Sequence, residues 1–204
     1  MNNYLSIALL GYLLGTPNPS LMLSRVKGVD VTEEGTGNPG ASNTALLLGV
    51  PLGLLVAFLD ISKAVVAVQL CKRLFRTARY AGVAGGIFCV LGHMFPFYRR
   101  FRGGKGFASY VGLILALDWR FIAYFLIPIA LIMLLTDYVV FGNLSTMVLF
   151  PMYGMAQLGV VTGLLLCALS IVMLCKHREN LAGIARGDEM HIRHRERSAF
   201  RLKK

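Results

Sequence analysis

The chain has 204 residues, of which 56% are hydrophobic and 15% charged, against about 45–50% and about 25% in soluble domains. A mean hydropathy of +0.63 excludes a disordered chain, and fibrous classes are excluded because collagen periods and sustained heptads are missing. We therefore expect an all-α, polytopic integral membrane protein that forms a single membrane domain over residues 1–204. Lys and Arg total 21 against 10 acids, a formal charge of +11, so the basic residues need to be located.

Seven segments poor in charge follow one another along the chain. They cover residues 4–23, 45–70, 80–97, 107–117, 121–135, 138–153 and 155–175. About 20 residues are needed to cross the hydrocarbon core, so the first, second and last segments are long enough, whereas those in the middle are short. We predict five to seven spans, prefer seven transmembrane helices, and expect some segments to be short or re-entrant.

The basic residues predict the orientation of these spans. The tail of residues 176–204 holds nine Lys or Arg against four acids, and the loop of residues 96–106 holds four basic residues and no acid. The positive-inside rule places both in the cytoplasm, so seven spans put the amino terminus outside. A second basic group, Lys72, Arg73, Arg76 and Arg79, then lies outside and conflicts with the rule. A five-span arrangement with a re-entrant segment would remove this conflict.

The first unusual polar stretch is Gly35-Thr36-Gly37-Asn38-Pro39-Gly40-Ala41-Ser42-Asn43, which opens directly into an apolar segment. Small residues let the backbone approach a ligand, and successive N–H groups at a helix start favour an anion. The alternative is a flexible loop in which Ser42 or Asn43 caps the helix.

The second polar stretch covers residues 92–106, where Gly103, Gly104 and Gly106 surround Lys105. A flexible ammonium and neighbouring backbone donors can bind one phosphate together. The three arginines of this stretch also serve as a topology signal and attract anionic headgroups. His93 at its start is compatible with either a structural or a catalytic histidine.

The third stretch begins where the last apolar segment ends, with His177 and Asn180 on one helix face. A histidine beside an amide can orient a hydroxyl and accept its proton, although an ordinary basic juxtamembrane end would look similar. Asp60 and Lys63 lie three residues apart inside the second apolar segment. Ionisable groups there are candidates for function, but we favour a mutually neutralising structural pair.

These stretches together resemble the PlsY family, the bacterial acyl-phosphate-dependent glycerol-3-phosphate acyltransferases, across nearly the whole chain. The similarity lies in residues 15–25, 28–31 and 35–43, in the Asp-x-x-Lys element of Asp60-Ile61-Ser62-Lys63, in residues 92–106, and in His177-Arg178-Glu179-Asn180 with Gly187 and Glu189.

The resemblance implies a seven-helix enzyme that moves a fatty acyl group from acyl phosphate to the 1-hydroxyl of glycerol 3-phosphate, giving lysophosphatidic acid and phosphate. It implies a multi-pass protein of the bacterial inner membrane, with the active site and the basic tail of residues 176–204 in the cytoplasm. Partners would be the two substrates, membrane lipid and the enzyme that supplies acyl phosphate. No cofactor and no metal site is expected.

The candidate site residues divide into three groups. His177, Asn180 and Lys105 are the candidate catalytic residues. The phosphate-binding candidates are Thr36, Gly37, Asn38, Gly40, Ser42, Asn43, Gly103, Gly104, Gly106 and Arg25. His93, Asp60, Lys63 and Glu189 are candidate supporting residues. A covalent acyl-enzyme is not expected, because acyl phosphate is already activated and the sequence has no GxSxG elbow. The four cysteines, at 71, 89, 167 and 175, show no paired spacing and are expected to be free thiols.

The first motif departs from the family pattern at four positions. Thr36 stands where the family usually has Ser, Pro39 where it has Ile, and Thr32 and Leu46 where it has Arg. Loss of a guanidinium removes a bidentate phosphate clamp. Weaker phosphate binding, a changed substrate, or compensation by Arg25 are the consequences we consider.

Three other classes of function compete with the acyltransferase. The missing arginines favour a non-catalytic relative that binds lipid or partner proteins, whereas the retained Lys105, His177 and Asn180 disfavour it. An anion transporter or channel would need polar residues deep in several helices. Nucleic-acid binding is not expected, because the basic residues are spread over membrane-adjacent loops.

Overall fold

The computed structural model describes residues 3–193, and this part of the chain folds into α-helices without a β-strand. The helices are α1 (Asn3–Gly15), α2 (Pro19–Lys27), α3 (Ala41–Leu48), α4 (Val50–Leu74), α5 (Ala81–Met94), α6 (Phe107–Asp118), α7 (Arg120–Thr136), α8 (Val139–Gln157) and α9 (Val160–Arg186). The segments long and apolar enough to cross a membrane are Val50–Leu74, Ala81–Arg99, Val139–Gln157 and Val160–Arg186, and α6 and α7 are shorter apolar helices. The predicted all-α, polytopic membrane fold is confirmed.

The first apolar segment is not the continuous span that its length indicated. Helix α1 ends at Gly15, and α2 begins at Pro19. Asn18 accepts a hydrogen bond from the backbone N–H of Leu21 at 3.0 Å, so it caps α2, and the proline follows at the first helical position. Asn followed by Pro is a strong helix start, and it divides the segment into two short helices.

The second apolar segment is also divided, near its beginning. Gly49 adopts φ 93° and ψ 156°, which separates α3 from α4. Pro51 in the first turn of α4 has no N–H to donate to α3, so a continuous helix would lose a hydrogen bond there. The break leaves α3 as a short helix of 8 residues in front of the 25-residue α4.

The chain divides into two compact units, the first ending at Asp118 and the second beginning at Trp119. In the first unit α4 packs against α3, α5 and α6, while α1 packs against α5. In the second unit α8 packs against α7 and α9, with the Phe121 ring stacked on Phe125 at 4.6 Å. Helix α9 continues through the start of the predicted tail to Arg186, and residues 194–204 of that tail lie outside the described residues.

Helices α1 and α5 approach each other through small residues. A methyl group on Gly11 would collide with the carbonyl of Gly85, and one on Gly15 would collide with the carbonyl of Cys89. Close backbone contact between small residues is a usual way to join helices in membranes, where burial of apolar surface contributes little to association. This contact fixes the end of α5 beside the break that follows α1.

Candidate active site

The first unit holds the candidate phosphate-binding loop of residues 35–43. Gly35 and Gly37 have φ values of 64° and 66°, so this loop needs glycine at both positions. The Asn43 amide holds the loop together: its oxygen accepts from the Thr36 N–H at 2.8 Å, and its nitrogen donates to the carbonyls of Val31 and Glu34. Asn43 is buried, and its amide shapes the loop backbone; the phosphate contact expected of it stays a prediction.

The remaining side chains of this loop are more open. Thr36 and Ser42 are exposed, Asn38 is half-buried, and Gly40 is the residue that precedes α3 in extended conformation. Arg25 is exposed in the last turn of α2. The N–H groups at the start of α3 and the exposed Thr36 hydroxyl are therefore the donors that this loop offers.

Thr32, one of the departures from the family pattern, has a local role. Its hydroxyl and its N–H donate to the Asp30 carboxylate at 2.7 and 2.8 Å. The hydroxyl of Thr32 is the largest influence that holds the pKa of Asp30 below its usual value. Thr32 therefore stabilises the turn after α2, which an arginine could not do through the same short hydrogen bond.

The second glycine-rich stretch returns from α5 to α6. The Gly103 N–H donates to the carbonyl of Met94 at 3.1 Å, and Gly106 has φ 84° immediately before α6. The Tyr98 hydroxyl donates to the carbonyl of Thr16 at 2.7 Å, which ties the stretch to the break after α1. Lys105 is half-buried between the two glycines.

The two glycine-rich stretches meet at Gly104. A methyl group on Gly104 would collide with Nε2 of His93 and would lie 3.1 Å from the carbonyl oxygen of Pro39. The Asn18 side chain donates to that same Pro39 carbonyl at 3.0 Å. The sequence prediction that both stretches belong to one site therefore has a geometric basis within this unit, and it explains why residue 104 must lack a side chain.

A buried ionic cluster lies behind this junction. Asp60 Oδ1 is 2.7 Å from Lys63 Nζ and 3.2 Å from His93 Nδ1, and Lys63 Nζ is 2.9 Å from His93 Nδ1. Lys63 also donates to the carbonyl of Pro17 at 2.7 Å. The cluster connects α4, α5 and the break after α1, so the favoured pairing of Asp60 with Lys63 is present and includes His93.

In the second unit the His177 ring is buried in α9. Its Nδ1 lies 2.9 Å from the carbonyl oxygen of Met173, one turn earlier. A carbonyl can only accept, so Nδ1 carries the proton, and in the neutral ring Nε2 has the lone pair.

Asn180 and Glu189 are brought together by the end of α9. Gly187 has φ 75°, and the N–H groups of Asp188 and Glu189 donate back to the carbonyl of Gly183 at 2.8 and 3.2 Å. This left-handed cap turns the chain so that Glu189 Oε1 accepts from the Asn180 side-chain nitrogen at 2.8 Å. With its nitrogen so occupied, Asn180 has its amide orientation fixed.

The second unit also contains a set of contacts that its sequence did not indicate. The Asp137 carboxylate contacts His191 Nδ1 at 2.9 Å and accepts from the Arg193 N–H at 2.9 Å. The Arg193 hydrogen bond is the main cause that lowers the pKa of Asp137. These contacts fasten the segment after α9 to the turn between α7 and α8. More than fifty residues separate the partners, so their spacing carried no signal.

Comparisons with known proteins agree with this arrangement. The model of the glycerol-3-phosphate acyltransferase family matches residues 5–187. A glycerol-3-phosphate acyltransferase of Anaeromyxobacter dehalogenans is 36% identical, covering 89% of this chain and 94% of its own. Glycerol-3-phosphate acyltransferase 1 of Oceanobacillus iheyensis is 33% identical, covering 93% of this chain and 95% of its own.

A solved structure is similar as well. It is a crystal structure of PlsY, an integral membrane glycerol 3-phosphate acyltransferase, in its glycerol 3-phosphate form. The TM-score is 0.85 and the identity 27%, covering 93% of this chain and 95% of PlsY. The motifs, the fold and the relatives agree, and this chain belongs to the glycerol-3-phosphate acyltransferase family.

Proposed function

We propose that this protein transfers a fatty acyl group from acyl phosphate to the 1-hydroxyl of glycerol 3-phosphate, giving lysophosphatidic acid and inorganic phosphate. One observation carries the proposal. The fold is similar over more than nine-tenths of the chain to PlsY, whose crystal structures are of a glycerol 3-phosphate form and a lysophosphatidic acid form. These two ligands are the acceptor and the product of the proposed reaction.

The glycine-rich stretches of the first unit are assigned to phosphate. Lys105 supplies the positive charge, while the Gly103-Gly104 backbone, the Thr36 hydroxyl and the Gly37-Asn38 loop supply uncharged donors. In the Gly103-Gly104 pair the donor is the Gly104 N–H, because the Gly103 N–H bonds to the Met94 carbonyl. Oriented donors stabilise the charge that develops on a departing phosphate. Support for this role comes from the contact of both stretches at Gly104 and from the glycine conformations at positions 35, 37 and 106.

His177 and Asn180 are assigned to the attacking hydroxyl. The hydroxyl oxygen bonds to the acyl carbon, the bond from that carbon to the phosphate oxygen breaks, and the phosphate leaves with the electron pair. The hydroxyl proton goes to His177 Nε2 or to a phosphate oxygen of the substrate. The proton on His177 Nδ1 and the fixed amide of Asn180 support this role.

No enzyme nucleophile is required in this reaction, because acyl phosphate is an activated mixed anhydride. The cysteines at 71, 89, 167 and 175 are free thiols, as predicted, and all four belong to the long helices α4, α5 and α9. The proposal therefore assigns direct transfer from donor to acceptor.

The membrane that holds the enzyme and its orientation there are part of the proposal. The protein is a multi-pass membrane protein, and we assign it to the bacterial inner membrane with both glycine-rich stretches and the carboxyl terminus in the cytoplasm. The basic loop of residues 96–106 supports this orientation. An enzyme that makes acyl phosphate is then the expected source of the donor.

One experiment tests the reaction. Purified protein is incubated with labelled glycerol 3-phosphate and either palmitoyl phosphate or palmitoyl-CoA, and lysophosphatidic acid is measured. We expect product from palmitoyl phosphate alone. Product from the CoA ester alone would contradict the assigned donor, and no product from either would favour a non-catalytic relative that binds lipid or partner proteins.

The residue assignments need their own variants. Lys105→Ala and His177→Ala are each expected to lower the rate of transfer about a hundredfold or more. Lys27→Ala is the matched control, because Lys27 is an exposed lysine at the end of α2. Transfer near the wild-type rate in either site variant would show that its residue has a different role.

A further inference from the structure

The end of α4 and the turn that follows it carry a group of basic residues that the proposed reaction does not use. We name residues 72–79 the basic turn, and its cations are Lys72, Arg73, Arg76 and Arg79. All four side chains are exposed. These are the residues that conflict with the positive-inside rule in a seven-span arrangement.

The contacts of the basic turn do not neutralise its charge. Lys72 Nζ lies 3.5 Å from the carbonyl oxygen of Ala116, and Arg76 Nε donates to the carbonyl of Arg73 at 3.2 Å. The Arg79 guanidinium lies 5.5 Å from the centre of the Tyr80 ring. The sequence has no acid between Asp60 and Asp118, and across residues 3–193 the ion pairs involve other side chains.

The basic turn lies at the opposite end of α4 from the glycine-rich stretches. Helix α4 has 25 residues and is about 37 Å long, close to the thickness of a bilayer from one headgroup region to the other. The candidate phosphate-binding loop lies before α4 in the chain and is joined to it by α3. The basic turn begins in the last turn of α4, at Lys72, and continues beyond its last residue. The turn is therefore at headgroup depth on the membrane surface that faces away from those stretches.

We propose that the basic turn binds the phosphate groups of anionic phospholipids at that surface. The ligand chemistry is a phosphate monoanion, and a guanidinium can form two parallel hydrogen bonds with it. An exposed turn does not enclose a soluble anion, but the headgroup layer presents phosphates at high density to several cations at once. This inference is independent of the proposed function.

The single tryptophan of the chain allows a direct test. Trp119 is exposed and lies three residues after Ala116, whose carbonyl contacts Lys72. The protein is reconstituted in vesicles that contain equal fractions of phosphatidylglycerol and phosphatidylcholine, with bromine on the acyl chains of one lipid or of the other. We expect brominated phosphatidylglycerol to quench Trp119 fluorescence about fivefold more strongly, since one basic residue contributes about that factor near an anionic surface.

Two triple variants separate charge from other effects. Arg73→Gln/Arg76→Gln/Arg79→Gln is expected to reduce the preference for phosphatidylglycerol to the part that Lys72 contributes, whereas Arg73→Lys/Arg76→Lys/Arg79→Lys is expected to keep the full preference. Lys72 is left unchanged because its stem packs against Gly82. Equal quenching in the wild type, or an unchanged preference in the glutamine variant, would overturn the proposal.

A further arm distinguishes the two sources of phosphate. Inorganic phosphate is added in molar excess over phosphatidylglycerol at constant ionic strength, and the quenching is measured again. We expect the preference for phosphatidylglycerol to persist. Its abolition by inorganic phosphate would show that the turn is a site for soluble phosphate and would overturn the assignment to lipid.

Discussion

The carboxylate of Asp60 and the ammonium of Lys63 form an ion pair at 2.7 Å inside α4, a helix long enough to span the membrane. The carboxylate is buried, and the ammonium also donates to the carbonyl of Pro17, where the chain passes from α1 to α2. The pair thus neutralises two charges at membrane depth and attaches α4 to the polar break that begins the first motif.

Removal of one partner of this pair is expected to destabilise the protein strongly. Asp60→Asn leaves the Lys63 charge without its carboxylate, and breaking a buried pair in this way costs about 3–5 kcal/mol in the free energy of unfolding. Thermal unfolding in detergent measures the change. The double variant Asp60→Leu/Lys63→Met removes both charges and is expected to be more stable than the single one. Equal stability of the single variant and the wild type would contradict a structural role for the pair.

The orientation of Asn180 by Glu189 predicts a graded response to substitution. Glu189→Gln keeps an oxygen that can accept from Asn180, so its kcat/KM is expected to stay within about threefold of the wild type. Glu189→Ala removes the acceptor, and a lost hydrogen bond to a charged group lowers kcat/KM by about tenfold or more. Steady-state kinetics with palmitoyl phosphate measures both.

The neighbouring acid is the control for this prediction. Asp188 pairs with Arg186 at 3.0 Å, and both side chains are exposed. Exposed pairs of this kind contribute little, so Asp188→Ala is expected to leave kcat/KM unchanged. A loss in Asp188→Ala as large as in Glu189→Ala would indicate a general effect of negative charge.

Introducing the missing arginine at position 46 is expected to raise the affinity for a phosphate substrate. A methyl group on Gly35 would come 3.3 Å from Leu46 Cδ2, so the Leu46 side chain faces the first glycine-rich loop. Leu46→Arg places a guanidinium there and is expected to lower the KM of a phosphate substrate by up to about tenfold. Leu48→Arg is the matched control on another face of α3. An equal fall in KM in both variants would point to overall charge and not to a specific clamp.

The contacts of Asp137 predict a weaker hold on the segment after α9 in acid. Because its pKa is lowered in the folded protein, the carboxylate stabilises the fold above its ordinary value of about 3.9, and this stabilisation is lost as the pH falls through the lowered pKa. Asp137→Asn should imitate the protonated state at neutral pH. We expect faster hydrogen exchange at residues 188–193 in this variant, and exchange equal to the wild type would contradict the assigned contact.

The sequence predicted helix bounds best where polar residues directly flank an apolar segment. Residues 107–117 and 121–135 were expected to be short apolar segments, and α6 and α7 agree with them within one residue at each end. The long segments were less accurate, because apolar composition conceals a break. Asn18 with Pro19, and Gly49 with Pro51, carry local signals for helix ends that the charge pattern does not contain.

Contacts in the candidate site could be predicted where both contacting residues belong to the same sequence motif. Gly187 and Glu189 stand close enough to Asn180 for a helix cap to bring them together. The contact of His93 with Gly104 and the contact of Asp137 with His191 depend on how separate segments fold back. The backbone contacts of Asn43 were also hidden, because an amide in a glycine-rich loop can face a ligand or its own backbone. The structure shows hydrogen bonds of Asn43 with Val31 and Thr36.

The hydrogen bond from His177 to Met173 has an evolutionary consequence. Its acceptor is a main-chain carbonyl, so a change of side chain at position 173 leaves the acceptor in place. The helix backbone therefore sets the tautomer of the His177 ring, and a substitution of the Met173 side chain does not change it. The orientation of the Asn180 amide is instead set by a side chain, that of Glu189. A single substitution at residue 189 can therefore change that orientation. Substitution at position 189 should accordingly be rare among relatives, whereas substitution at the buried position 173 should leave the His177 tautomer unchanged.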